Sequence, residues 1–275
     1  MRVEIVDCAG ASGDEVTLHE GPPSNELCVV QRGSFHYTSA RADVMVDPTT
    51  SLFGLVGEDS KITHPVPGGD RDALIYFSDS LLANVAGEDL NLPTAVPTSP
   101  WAAFAERRLA VLAAAGSQWA NATELAISVV AGSIAQEQPK RVNSGRPATM
   151  RAARSLFNDA RTILLDRPDV SVLALAAEIG CSPFHLSRVF GRFTGRGVAA
   201  YRSSLRIAIV LDQLADGQGN LADVAAIAGF ADHAHLSKTI RAQFGSTPSA
   251  LRSALIQPTS TTNQAAPRAI SERDQ

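Results

Sequence analysis

Apolar residues follow two rhythms along this chain. From Arg2 to about Phe77 they come in short runs: Val3 to Val6, Glu15 to Leu18, Leu27 to Gln31, Ser34 to Tyr37, Asp43 to Val46, Leu52 to Val56 and Ala73 to Phe77. Turn formers divide them, among them Pro22-Pro23, Gly33, Asp47-Pro48, Gly57 and Pro67-Gly68-Gly69. Many short runs at that spacing predict a small antiparallel sandwich or barrel. Helical spacing follows over Asp79 to Ala86, Trp101 to Ala115 and Thr123 to Gln136, with Asp79 and Thr123 as N-cap candidates. In the last of these, Leu125, Ala126, Val129, Val130 and Ile134 form one stripe. It reads either as packing on the β unit or as a homodimer interface through the Trp101 to Gln136 helices.

Residues 137–149 begin EQPKRVNSGRP, polar and without apolar periodicity, and read as a linker. From Met150 to about Ile256 helical spacing is nearly continuous and predicts seven helices. Ser171, Ser182-Pro183, Asn220 and Thr247-Pro248 supply helix starts, and Gly180 and Gly229 supply stops. Two stretches there are near copies, LALAAEIGCSPFHLSRVFGRFTG from Leu173 and LADVAAIAGFADHAHLSKTIRAQFG from Leu221. Each predicts a helix-turn-helix, and two such units predict two contacts with one DNA duplex. The fold class is thus α+β in two domains, residues 1–136 and 150–256, with a disordered tail over 257–275.

Charge sharpens the division. Residues 1–149 carry ten Lys and Arg against eighteen Asp and Glu, whereas residues 150–256 carry twelve against eight. Polyanion binding needs local positive charge only, so an acidic front and a mildly basic back imply separate tasks. Three scattered cysteines support neither a disulfide framework nor a cysteine zinc cluster, and the latter absence argues against a DNA-repair alkyl acceptor. No apolar stretch approaches the length of a signal core or a membrane span, and the expectation is a soluble cytoplasmic protein.

Helical spacing separates core from reading face in the second helix of each unit. Leu186, Val189, Phe190 and Phe193 fall on one side, leaving Phe184, Ser187, Arg188 and Arg192 on the other. In the second unit Leu236, Ile240 and Phe244 point inward, leaving His233, Ala234, Ser237, Lys238 and Arg241 outward. Such a face near a helix N-terminus enters a major groove, where Arg or Lys donates to guanine and Ser or His to base edges or phosphates. The alternative for each is a solvated surface side chain. One extra residue in the second copy, before its Leu-Ser-Lys, predicts that the two halves of the DNA site differ.

Catalytic and metal constellations are thin. The front holds isolated His19, His36 and His64, and the one His-x-His, His233-Ala-His235, falls on a predicted helix, where residues two apart diverge by about 200°. The expectation is no metal, no cofactor and no catalytic residue. His64-Pro65 followed by Gly68-Gly69-Asp70-Arg71-Asp72 reads as a turn, with a pocket-rim role for His64 or Arg71 as the alternative.

The segment from Met150 to Ile256 resembles the DNA-binding domain of AraC/XylS-type transcriptional regulators. Asp223-Val224-Ala225, Gly229-Phe230, His235-Leu236-Ser237-Lys238 and Phe244-Gly245-Ser246-Thr247-Pro248 carry the likeness. It implies two recognition helices held by a connector so that they enter successive major grooves about 34 Å apart. Leu236 and Ile240 stand where phenylalanines are usual, Lys238 for an arginine, and Gly197-Val198 for Ser-Pro. Through Gly33-Ser34-Phe35, His64 and Gly69-Asp70-Arg71 the front resembles the family's cupin-like effector or dimerisation domain. The resemblance implies promoter DNA, RNA polymerase and a small-molecule effector as partners. A cupin-type enzyme tethered to DNA is the other reading.

Overall fold

The structure, a computed structural model, describes residues 2–9, 13–19, 21–64, 68–86, 92–115, 119–136, 147–217 and 219–257. Nine strands are present among them: β1 (Arg2–Cys8), β2 (Gly13–His19), β3 (Asn25–Gly33), β4 (Phe35–Ser39), β5 (Asp43–Val46), β6 (Thr50–Gly54), β7 (Ser60–His64), β8 (Asp70–Phe77) and β9 (Ala95–Pro97). They form two antiparallel sheets, ordered β1-β8-β3-β6-β9 and β2-β7-β4-β5. The pattern of apolar runs did not predict β7 or β9. Ser60–His64 reads SKITH, with too few apolar positions to show an alternation, and β9 is three residues pairing with β6.

The centre of the five-stranded sheet, around β3, is buried on both faces. Cys28, Val30 and Leu52 join Phe35, Tyr37 and Val46 of the other sheet between the two layers. On the outer face Leu27, Val29, Phe53, Ile75 and Phe77 meet α2 (Pro100–Ala114) and α3 (Trp119–Ile134). Ala126, Val129 and Val130 of α3 are fully covered there, so the stripe packs within the chain and is not free for a homodimer. Two cap expectations change as well. Ser78 Oγ accepts from the Leu81 amide at the start of α1 (Asp79–Ala86), and α3 begins four residues before Thr123. Asp79 is itself helical and instead accepts from Asn25 Nδ2 at 2.6 Å.

The back half holds α4 (Pro147–Asp166), α5 (Val172–Glu178), α6 (Pro183–Thr194), α7 (Val198–Ala215), α8 (Leu221–Ile227), α9 (His233–Phe244) and α10 (Pro248–Ile256). Residues 147–149 of the expected linker are thus helical, because Pro147 opens α4. The rest of that linker, and the expected tail beyond Gln257, lie outside the described residues. One core joins α4, α5, α6 and the first half of α7, with Phe157, Leu164, Leu175, Leu186, Phe190 and Tyr201 at its centre. A second joins the rest of α7 to α8, α9 and α10 through Leu211, Val224, Leu236, Ile240, Phe244 and Leu255. Helix α2 of the front half enters that second core through Ala103, and the Phe104 ring lies tilted against Phe244 at 6.1 Å between centroids.

Candidate nucleic-acid interface

The second helix of each unit, α6 and α9, is started by a side chain and ended by a glycine. Ser182 Oγ accepts from the His185 amide at 3.1 Å, and Asp232 Oδ1 from the His235 amide at 2.7 Å. Gly195 and Gly245 end them with φ of 71° and 63°. One apolar face is consumed in each: Leu186, Val189 and Phe190 on α6, and Leu236, Ile240 and Phe244 on α9. On the opposite side of α6, Phe184, His185 and Arg188 are exposed, with the Arg188 guanidinium 5.5 Å from the Phe184 ring. Phe184 is 71% exposed, well beyond what a residue that stabilised the core would show. On α9 the exposed side carries His233, Ala234, His235, Lys238 and Arg241.

The two units are held in one orientation. Arg202 and Arg206 of α7 donate to the carbonyls of Val170 (2.7 Å) and Pro168 (2.8 Å), pinning the loop between α4 and α5. That loop presses on the turn of the second unit. Gly229 has φ +73°, and a Cβ there would lie 2.9 Å from the Asp169 amide nitrogen. Arg206 also lies over the Phe230 ring at 5.8 Å. The spacing of α6 and α9 is therefore set by a connector helix and by a loop-on-turn contact that admits no side chain.

Residues 175–254 match the family described as helix-turn-helix domain. This segment is thus similar to helix-turn-helix domains. It is 36% identical over 81 residues to YidL, an uncharacterised HTH-type transcriptional regulator of Escherichia coli strain K12. The aligned stretch makes up 30% of this chain and 27% of that relative. Among solved structures, ToxT from Vibrio cholerae O395, bound to (E)-4-(8-methylnaphthalen-1-yl)but-3-enoic acid, aligns over 92% of this chain and 98% of its own, at 11% identity and a TM-score of 0.34. An AraC-type DNA-binding-domain regulator from Chromobacterium violaceum aligns over 40% and 99%, at 22% identity and TM-score 0.36.

The helical half is fastened to the sandwich by two buried ionic networks. Arg161 of α4 donates through Nε to Asp47 Oδ2 at 2.7 Å and through Nη1 to the Met45 carbonyl at 2.9 Å, and its Nη2 also contacts Asp47. Tyr201 of α7 donates to the same Asp47 oxygen at 2.5 Å, while the Thr49 amide and hydroxyl bond Oδ1. Burial opposes ionisation of Asp47, yet the Arg161 charge and these bonds outweigh it and hold the carboxyl below its usual range. In the second network Arg107 of α2 reaches Glu106 (2.6 Å), the Gln31 carbonyl (2.9 Å) and the Ala208 carbonyl of α7 (3.4 Å). Gln31 Nε2 donates to the other Glu106 oxygen at 2.7 Å. Burial of Glu106 pushes its pKa up to about 7 despite those partners.

Between the sandwich and the first unit, beside Arg161, lies a cavity of about 420 Å³. His36, Ser39, Arg41 and Val44 line its sandwich side, and Met150, Arg154, Phe157, Arg192, Phe193 and Arg196 its helical side. This accounts for Arg192, which the helical spacing grouped with Arg188. It is half-buried, lines the cavity and donates to Met150 Sδ at 3.2 Å, because α4 covers that flank of α6. Ser187 and Ser237 are also half-buried; a Cβ at Gly197 would meet Ser187 Oγ at 2.9 Å. Neither expected pocket residue lines the cavity. His64 is buried against Asp70, and Arg71 is partly exposed, 3.5 Å from Asp7. Exposed His185 was absent from the outward set read from the sequence, although it follows Phe184 at the start of α6 and its exposure is what a first-turn position predicts.

Proposed function

We propose that the chain is a sequence-specific, ligand-responsive transcriptional regulator rather than an enzyme, acting on promoter DNA and RNA polymerase in the cytoplasm. One observation carries the reading: two capped helices present exposed polar and cationic side chains while α7 and the Gly229 contact fix their separation. Phe184, His185 and Arg188 read one half-site, and His233, Ala234, Lys238 and Arg241 the other. Ser187 and Ser237 take phosphate or edge contacts at the margins. The two sets differ chemically, so the site is asymmetric.

The effector occupies the cavity between the sandwich and the first unit, whose volume suits a small molecule. Arg154 and Arg192 on one wall, with Phe157 and Phe193 beside them, favour a molecule with an acidic group and an apolar part. A ligand touching both domains favours the docked arrangement over any other, which is the differential affinity that coupling requires.

Selection of binding sites from random duplexes, followed by footprinting, tests the DNA reading. Arg188→Ala and Lys238→Ala should each weaken specific binding by about 1–3 kcal/mol for every base edge no longer bonded, each in its own half-site. If neither variant changes specific binding or the footprint, the reading faces are wrong.

A further inference from the structure

Three donor side chains that DNA reading leaves unused meet at one end of the sandwich interior. Cys8 closes β1, Asp70 opens β8, and these two residues are paired across the strands, so their side chains share a face. His64 closes β7 in the opposite sheet, and its Nε2 contacts Asp70 Oδ1. The Cys8 sulfur, an imidazole nitrogen and an Asp70 oxygen all lie within 4.8 Å of one another. His64 and Asp70 are 5% and 8% exposed, and Cys8 is half-buried. Glycine makes the approach feasible. A Cβ at Gly69, where φ is +67°, would fall 1.8 Å from the Cys8 carbonyl oxygen.

A second observation points to a ligand at the same place. Asp72, two residues along β8 on the same face as Asp70, is 8% exposed, and its Oδ1 has no hydrogen-bond partner. A buried carboxyl oxygen without a partner is costly, and such groups in native folds call for a water or an ion.

The geometry points to a zinc site in the front domain, with the Cys8 thiolate, His64 Nε2 and the Asp70 carboxylate as ligands. A water in the fourth position donates to Asp72 Oδ1. Bonds of about 2.0–2.3 Å set tetrahedral donors about 3.3–3.7 Å apart, so the cluster accepts the ion once the His64 and Asp70 contact opens. A thiolate, an imidazole and a carboxylate suit zinc, whereas magnesium and calcium take oxygen sets. Binding releases the thiol proton, and the ion then ties β1 and β8 of one sheet to β7 of the other. Searching for two histidines on one strand misses this site because its ligands come from three strands.

The test is metal titration of the full chain after chelator treatment and dialysis, using zinc and, as a coloured probe, cobalt(II). One equivalent should bind, cobalt should show a thiolate charge-transfer band, and zinc should raise the melting temperature. Cys8→Ser should abolish that band and lower zinc affinity by more than the about 10–100-fold typical of an outer-sphere partner. Cys181→Ser, in the helical domain, should leave both unchanged. Absence of stoichiometric uptake by folded protein overturns the assignment, as does unchanged binding in Cys8→Ser. Should His64→Gln fail to fold, Cys8→Ser decides alone, being isosteric at a half-buried position.

Discussion

Replacing Arg161 with methionine isolates one buried contact that fastens the first helix-turn-helix unit to the sandwich. The methylene stem is largely retained, and the guanidinium that pairs with Asp47 is removed. Asp47 keeps Tyr201 and Thr49 as donors but is deprived of its only charged partner in that network, at a position that is fully buried. Breaking a buried pair from one side typically costs about 3–5 kcal/mol, because the surviving charge stays desolvated. Asp47→Asn in the Arg161→Met background removes that charge and should recover a large share of the loss. The pair of substitutions should therefore couple by at least about 2 kcal/mol in a double-mutant cycle. Urea unfolding followed by far-ultraviolet circular dichroism reports the helical domain, and tryptophan fluorescence reports the front, where Trp101 and Trp119 lie. The pH dependence adds a signature. A depressed Asp47 pKa stabilises the wild type above the unfolded carboxylate pKa of about 3.9, and that contribution disappears as pH falls through the folded value. Without Arg161, burial dominates and the sign reverses, so the single variant should gain stability as it is acidified. A loss below about 1 kcal/mol, or an additive cycle, would refute the argument that this pair contributes to holding the two parts together.

Glu106 titrates oppositely in the wild type. Its folded pKa of about 7 lies above the usual 4.5, so its contribution is fully present below pH 4.5 and is lost as pH rises to about 7, by about 3 kcal/mol in total. Denaturation midpoints across that window should show this slope, and Glu106→Gln should flatten it. The two turn glycines give a further contrast. Gly180 and Gly229 have φ of +69° and +73°, but a Cβ at Gly180 meets nothing within 4 Å, whereas one at Gly229 meets Asp169 backbone at 2.9 Å. Gly180→Ala should cost about 1–2 kcal/mol from backbone conformation alone, and Gly229→Ala clearly more in thermal melts. Gly229→Ala should also weaken binding to the two-part DNA site beyond its effect on either half alone.

The back half was legible because its signals are local. Serine before proline, asparagine before an apolar run and glycine after one mark helix ends within a few residues, and the repeat of that grammar from Leu173 and Leu221 revealed two units. Short polar strands such as β7 lack such marks, so that strand became visible only through its partners β2 and β4. Helical spacing also could not tell whether Arg192 faces solvent. It lies one turn beyond Arg188 on the same side, and only the packing of α4 decides between groove and cavity.

The amino-acid sequence alone determined the class of each half and the sides of α6 and α9 that must be buried, since periodicity and capping depend on neighbours a few residues away. Tertiary structure decided everything that joins distant residues. Asp47 with Arg161 and Tyr201, Glu106 with Gln31 and Arg107, and Cys8 with His64 and Asp70 come together through chain closure between remote segments. Their burial, more than their identity, sets their chemistry. A carboxylate reads the same in any sequence, whereas the low dielectric around it and the partner that relieves it exist only once the domains have packed.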